Sequence, residues 1–166
     1  MRFLKQKSKL KLEETMMNAE VFNQQHILFD ETSTTQEEAF QMIATFAYKL
    51  GFVNNVQTYF EGLKKREVDA TTGFKDQLAI PHSKNSAVVK PGMFLLKFSH
   101  EIPWRSLDGQ PIKVAFALAI PEEGATKHLK LLSLIARKLI DQKFREAILA
   151  ESDPEKLDAM INQIDF

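Results

Sequence analysis

No cysteine occurs among the 166 residues of this chain. Disulfides, a thiol nucleophile and any cysteine-based zinc site are therefore excluded. Neither sign of charge is in excess, since 22 Lys and Arg balance 22 Asp and Glu. A nucleic-acid partner favours a clustered basic surplus, so none is expected. No apolar run reaches roughly 18 residues without a charge, so no direct membrane insertion is expected either. The four histidines show neither HxH nor HxxxH spacing, which leaves a metal site without support. Glycine numbers only six and forms no phosphate-cradling loop, so nucleotide binding by that route is not expected. A cytoplasmic location is the default for such a chain.

What is present suits one folded domain. The hydrophobic fraction is 44%, and thirteen Phe make the prospective core bulky. The opening MRFLKQKSKLK holds five basic residues and no acid. No continuous apolar segment follows, so it is not a secretory signal. Residues 1–18 are expected to be a basic, frayed, solvated extension, with a membrane-surface or partner-binding arm as the alternative. The domain proper is placed at 19–166.

Periodicity predicts a helix over 33–51. Thr34 with Glu37, or Thr35 with Glu38, offers a capping box, and Gly51 closes the C-terminal end. A second helix is predicted over 54–66, with Lys64, Lys65 and Arg66 suiting the negative end of its dipole. "MFLLKF" (93–98) reads as a buried strand. In "IKVAFALAI" (112–120), large apolar side chains alternate with mostly small ones, which implies burial on both faces. Short strands are expected near 26–30 and 77–80. Helices return over 126–140, 142–150 and from Asp153-Pro154 to about Gln163. Helices on either side of a strand-rich centre indicate an α/β domain with helices covering a sheet.

The chemistry-bearing stretch is "LAIPH" (78–82). Pro81 pushes Ile80 toward extended geometry and removes one backbone donor. The strand should end there, with His82 displayed at its mouth. Alone, a Pro-His pair also fits an ordinary surface histidine. His128 heads the apolar stripe of its helix. It fits either a satisfied core histidine or an anion-binding group at a helix start. Arg66 fits either a dipole-matched surface charge or a planar fork for phosphate. Asp76 could accept from an imidazole N–H, or be simply a loop acid. His26 and His100 read as structural, with His100 in a long loop.

Together these pieces resemble the IIA domain of the fructose/mannitol class of the bacterial phosphoenolpyruvate:sugar phosphotransferase system. The matching stretches are "YFEGLKKRE" (59–67), "TTG" (71–73), "LAIPH" (78–82), "IPWRSLDGQPIKVAFALAIP" (102–121) and "HLKLLSLIARKLID" (128–141). The resemblance runs from about residue 20 to the end. It implies a single-domain mixed β-sheet flanked by helices. It also implies that His82 accepts a phosphoryl group, through Nε2, from the phosphohistidine of HPr. Arg66 and His128 then belong to its site, and the group passes to a cysteine of a IIB domain. A phosphotransferase component in sugar uptake follows, with no metal or separate cofactor. A regulatory IIA of the nitrogen-related type, whose His82 phosphorylation gates another protein, is the alternative. The lack of cysteine fits a IIA unit whose IIB is a separate chain. An apolar rim around His82 is expected, with Trp104 among its candidates. Two departures stand out. Phe74-Lys75-Asp76-Gln77 replaces the family's usual glycine-rich turn, and Ser83 replaces a frequent glycine.

Overall fold

The computed structural model describes residues 2–162, with the side chains at 10–18, 125–129, 131 and 132 outside that description. The central feature is a five-stranded mixed sheet. Its strands are β1 (Ile27–Asp30), β2 (Leu78–Ala79), β3 (His82–Asn85), β4 (Gly92–Ile102) and β5 (Ile112–Pro121). β4 and β5 pair antiparallel, whereas β1 lies parallel to β4, and both β2 and β3 lie parallel to β5.

The alternation read in β5 decides how the sheet is covered. Val114, Phe116, Leu118 and Ile120 enter one buried cluster with Ile135, Leu139, Phe144, Ile148, Leu157 and Ile161. Those partners come from α4 (Ala125–Leu139), α5 (Gln142–Ala150) and α6 (Pro154–Asn162). Ala115, Ala117 and Ala119 face the other cluster, with Phe40, Ile43, Tyr59 and Leu63. These belong to α2 (Gln36–Lys49) and α3 (Val56–Asp69). Small side chains let those helices approach the sheet closely. The buried Tyr59 hydroxyl accordingly reaches the backbone and donates to the Leu118 carbonyl at 2.8 Å. Gly62 of α3 works the same way, since a Cβ there would lie 2.4 Å from Ser83 Oγ and 2.3 Å from Asn85 Nδ2.

The helix signals operate as local chemistry dictates. Thr35 caps α2 by accepting from the Glu38 amide at 3.1 Å, and the Glu38 carboxylate accepts from the Thr35 hydroxyl in return. Asn55 caps α3 and Asp141 caps α5. Asp153 accepts from the Glu155 amide, with Pro154 opening α6. Gly51 takes a left-handed φ of +84° beyond α2.

α1 runs from Arg2 to Val21, with Phe3 and Leu4 exposed. Three expectations differ from the structure. α3 continues past Arg66 to Asp69. His100 lies within β4, not in a loop, because β4 extends beyond the apolar run to Ile102. Finally, β2 ends at Ala79, ahead of Pro81 as expected, but after a pause at Ile80-Pro81 a strand that was not expected, β3, begins at His82, and its polar sequence HSKN conceals it. The register against β5 is unbroken across the pause, with Leu78 opposite Val114 and His82 opposite Leu118. Pro81 supplies no amide, but its carbonyl accepts from the Leu118 amide at 3.0 Å and keeps the segment in line. The proposed end of the last helix at Gln163 lies outside the described residues.

Gly73 marks another close approach. A Cβ there would fall 1.9 Å from the Arg105 carbonyl oxygen, a backbone atom that cannot rotate away. Gly73→Ala is therefore expected to destabilise the fold by about 1–3 kcal/mol, the usual scale of overpacking. A urea midpoint equal to that of the parent protein would contradict this packing argument.

Candidate functional site

The C-terminal turn of α3 and the first residue of β3 meet at one edge of the sheet. His82 is half-buried there. Its Nδ1 lies 2.7 Å from the Ile80 carbonyl oxygen, which can only accept, so Nδ1 carries the ring proton. Nε2 is then the nitrogen with a free lone pair. The Nε–H of Arg66 donates to that lone pair at 3.2 Å, and Arg66 Nη1 donates to the Ala70 carbonyl at 2.8 Å. The second contact holds the guanidinium over the end of its own helix.

Electrostatics favour the neutral ring. Burial pushes the His82 pKa below the ordinary histidine value. The Ile80 carbonyl pulls it back up, the Arg66 charge lowers it, and Glu67 raises it. A neutral imidazole with one proton fixed and one lone pair directed outward is a nitrogen nucleophile near neutral pH. His26 shares the downward shift, again chiefly from burial, but not the chemistry. It is 3% exposed, with Nδ1 on the Met93 carbonyl and its ring against Phe22, Phe52 and Phe94.

Both shifts carry a stability consequence. A histidine whose folded pKa is depressed binds a proton more readily when unfolded. Its stabilising contribution is present above the unfolded pKa and is lost as pH falls from there toward the folded value. Unfolding free energy should thus hold steady between about pH 7 and 8 and decline below about pH 6.5, where unfolded histidine protonates. Urea midpoints at several pH values, with the His82 ring titration followed by NMR, check both halves. A midpoint that rose on acidification through that window would contradict the burial argument.

The sequence-predicted residues fare differently. Arg66 and His82, sixteen positions apart, are brought into contact. His128 falls in the first turn of α4, but its side chain lies outside the described residues. Asp76 does not reach the imidazole. Its carboxylate accepts from Arg145 Nε at 2.8 Å, and its amide donates to Asp108. The option that Asp76 accepts from an imidazole N–H is thereby corrected: the Ile80 carbonyl, two residues from His82, fills that role. Asp76 and Gln77 take left-handed φ values of 54° and 64°, which explains why glycines suit this turn. Trp104 is buried at 8% exposure and points its N–H at Glu67, so it does not line an exposed rim.

Glu67, adjacent to Arg66 in the stretch that carries the resemblance, was given no role by the sequence. Its carboxylate accepts from Trp104 Nε1 and from the amide and hydroxyl of Thr72, and it competes with the Arg105 carbonyl for the one proton of the Thr71 hydroxyl. The helix was predicted to end at Arg66, so an acid in its last turn, where the dipole disfavours negative charge, shows only once α3 is seen to run to Asp69. A groove of about 390 Å³ beside Arg66 is lined by Lys65, Asp69, Ser83, Lys84 and Glu122, among others. Among the described residues, no group of acids and histidines is arranged to hold a metal ion. No described helix is long and apolar enough to cross a membrane.

Residues 20–164 match the family model described as "Phosphoenolpyruvate-dependent sugar phosphotransferase system, EIIA 2". Over 138 residues the chain is 31% identical to the PTS system fructose-specific EIIA component of Haloferax volcanii, covering 83% of this chain and 90% of that protein. It is 33% identical over 123 residues to a nitrogen regulatory protein of Bradyrhizobium diazoefficiens, covering 74% and 80%. Among solved structures, nitrogen regulatory protein IIA-Ntr from Neisseria meningitidis superposes with a TM-score of 0.80 at 24% identity, covering 87% of this chain and 99% of that one. The complex of enzyme IIA-Mtl with phosphorylated enzyme IIB-Mtl from Escherichia coli gives 0.66 at 18% identity, covering 82% and 94%.

Proposed function

Because the chain belongs to the EIIA 2 family of the phosphoenolpyruvate-dependent sugar phosphotransferase system, we propose that it takes a phosphoryl group on Nε2 of His82 from phospho-HPr and delivers it to a cysteine of a IIB domain during sugar uptake. The observation that carries this reading is the His82 ring itself: Nδ1–H is committed to the Ile80 carbonyl, and the Nε2 lone pair faces a guanidinium.

The chemistry is a displacement at phosphorus. The Nε2 lone pair forms a bond to phosphorus as the donor's N–P bond breaks, and the bond pair returns to the donor imidazole. The His82 ring keeps its Nδ1 proton throughout, and the Ile80 carbonyl stabilises the positive charge the ring acquires. Little covalent assistance is needed beyond in-line placement and dispersal of charge on the phosphoryl oxygens. Arg66 supplies part of that charge. His128 supplies a donor to a phosphoryl oxygen in this reading, aided by the start of α4. The register supports the placement of that helix start, since β5 ends at Pro121, three residues past the partner of His82, and α4 begins at Ala125. The onward step forms S–P and breaks N–P in the same manner, with the thiolate as nucleophile. The phosphoryl group rides covalently, so no separate cofactor is required.

The 33% identity to a nitrogen regulatory protein favours a second reading, in which the phosphorylation state of His82 gates binding to another protein. Both readings use the same site. Incubation with phosphoenolpyruvate, enzyme I and HPr, followed by mass spectrometry of the peptides, tests the shared step, with phosphate expected on His82. Pull-downs with phosphorylated and unphosphorylated protein then separate the two. Capture of a IIB domain supports transport, and capture that depends on phosphorylation state by a different protein supports regulation.

A further inference from the structure

Two adjacent residues of α3 reach the two nitrogens of one imidazole by different routes. Arg66 touches Nε2 directly. Glu67 reaches Nδ1 through the backbone. Its carboxylate accepts from the Thr72 amide at 3.1 Å and from the Thr72 hydroxyl. The Thr72 carbonyl accepts from the Ile80 amide at 2.9 Å. The Ile80 carbonyl accepts from His82 Nδ1 at 2.7 Å. Trp104 donates to the same carboxylate at 3.1 Å, and the Thr71 hydroxyl shares its one proton between that carboxylate and the Arg105 carbonyl. Gly73 continues the arrangement through a bridge to Ala79.

From this geometry we infer that Glu67 is a positioning residue for the phosphoryl-accepting histidine: it anchors the 71–73 segment, which fixes the backbone of Ile80 and thereby the tautomer and aim of His82. The inference rests on the proposed role of His82 and adds a determinant to it. A carboxylate serves here because three donors, the Trp104 N–H and the amide and hydroxyl of Thr72, converge on it. An amide in its place offers one acceptor oxygen and turns an N–H₂ group toward donors that have nothing to give it. Ile80 is also where the strand pauses. Pro81 provides no amide to the ladder at that point, so between Ala79 and the bond from the Leu118 amide to the Pro81 carbonyl, the backbone of Ile80 is held by the bond its own amide donates to the Thr72 carbonyl. The Arg66 contact cannot replace this, because it acts on the nitrogen that must be vacated for transfer.

The test uses Glu67→Gln in the full chain, read by two measurements. ¹⁵N NMR of the unphosphorylated protein at about pH 8, where a ring of ordinary or depressed pKa is neutral, reports which His82 nitrogen carries the proton. The parent protein should show an Nδ1–H ring, and the variant a mixture with the Nε2–H form. The rate of phosphoryl uptake from phospho-HPr should fall at least about tenfold, on the scale of lost alignment in positioned reactions. The fall should appear in the maximal rate more than in the HPr concentration needed for half-saturation. Should Glu67→Gln fail to fold, Thr72→Val removes one donor while keeping shape and amide, and a smaller shift of both readouts in the same direction is expected. A variant that keeps a pure Nδ1–H ring overturns the inference, whatever its rate. The tautomer measurement needs no phosphorylation. Failure of the parent protein to accept phosphate would therefore refute the carrier reading while leaving the link from Glu67 to His82 separately decided.

Discussion

His82→Ala is expected to take no phosphoryl group from phosphoenolpyruvate, enzyme I and HPr, whereas the parent protein is expected to gain the mass of one such group. The expected effect is total, not graded, because the described histidines are not interchangeable. His26 is sealed beneath Phe22, Phe52 and Phe94, and its Nδ1 is tied to the Met93 carbonyl. A phosphoryl donor the size of a protein cannot reach it. His100 is exposed on β4 and no described cation contacts its ring, so charge developing on a phosphoryl group there would meet only water. The substitution itself is mild for the fold. It removes a half-buried ring and two hydrogen bonds, and the Ile80 carbonyl it uncovers lies at a solvent-accessible edge. The loss of stability should stay near 1–2 kcal/mol, the scale of two net hydrogen bonds. Near-parental circular dichroism and a modestly lowered urea midpoint would establish that the loss of labelling is chemical. Full labelling of the variant would remove His82 from the mechanism altogether.

Much of this architecture is legible in the chain because its strongest signals are local. The large–small alternation of Val114–Ile120 states two-sided burial directly, and the two hydrophobic clusters divide along it. Thr35 and Glu38 cap α2 through contacts three residues apart, so spacing alone reveals them. What escapes the sequence is set by long-range partners. β3 is polar, and it is a strand only because β5 offers a parallel ladder in continuous register. Its interior-facing Ser83 is small and buried where α3 presents Gly62, a fit visible only once helix and strand are placed.

The candidate site divides in the same way. His82 and Arg66 are identifiable by type and setting, but the 3.2 Å between them is not. Trp104 looked like a docking surface because aromatic residues often serve as one. Its partner, Glu67, stands 37 positions away, and that pairing draws the ring inside. The turn at Asp76-Gln77 is the clearest case. The missing glycines were visible, but not how the chain manages without them. Holding two non-glycine residues in the left-handed region costs on the order of 1–3 kcal/mol each. The nearly buried Arg145 offsets this by clamping the Asp76 carboxylate while donating to the Leu139 and Ile140 carbonyls at the end of α4. The turn that precedes β2 is thus tied to the helix that carries position 128, an arrangement no local pattern announces.

Arg66→Ala should slow phosphoryl uptake by about a hundredfold or more, the cost of removing one preorganised donor from a developing charge. Two effects of the substitution oppose each other, and magnitude decides between them. In the resting site the Arg66 Nε–H occupies the same lone pair that must attack phosphorus. Its removal frees that lone pair and spares the roughly 1 kcal/mol of a net hydrogen bond, a gain of less than tenfold. Its removal also takes a positive charge from the point where three phosphoryl oxygens accumulate negative charge, and this larger loss prevails. The guanidinium can serve both states because it is held at its other end. Nη1 rests on the Ala70 carbonyl, so under the carrier reading the Nε side is free to leave Nε2 for the phosphoryl oxygens without loss of that anchor. The Arg66 charge also lowers the His82 pKa, so the alanine variant has a more basic ring. Near pH 6.5 that variant would lose further activity through protonation, whereas near pH 8 both rings are neutral and only charge stabilisation differs. Rates measured at pH 8 therefore isolate the transfer step. Arg66→Lys keeps the charge but loses the fork that grips Ala70 and His82 together, and an intermediate rate is expected. Equal rates for the parent and Arg66→Ala at pH 8 would show that the contact seen at rest serves only to hold the ring, and has no part in moving the phosphoryl group.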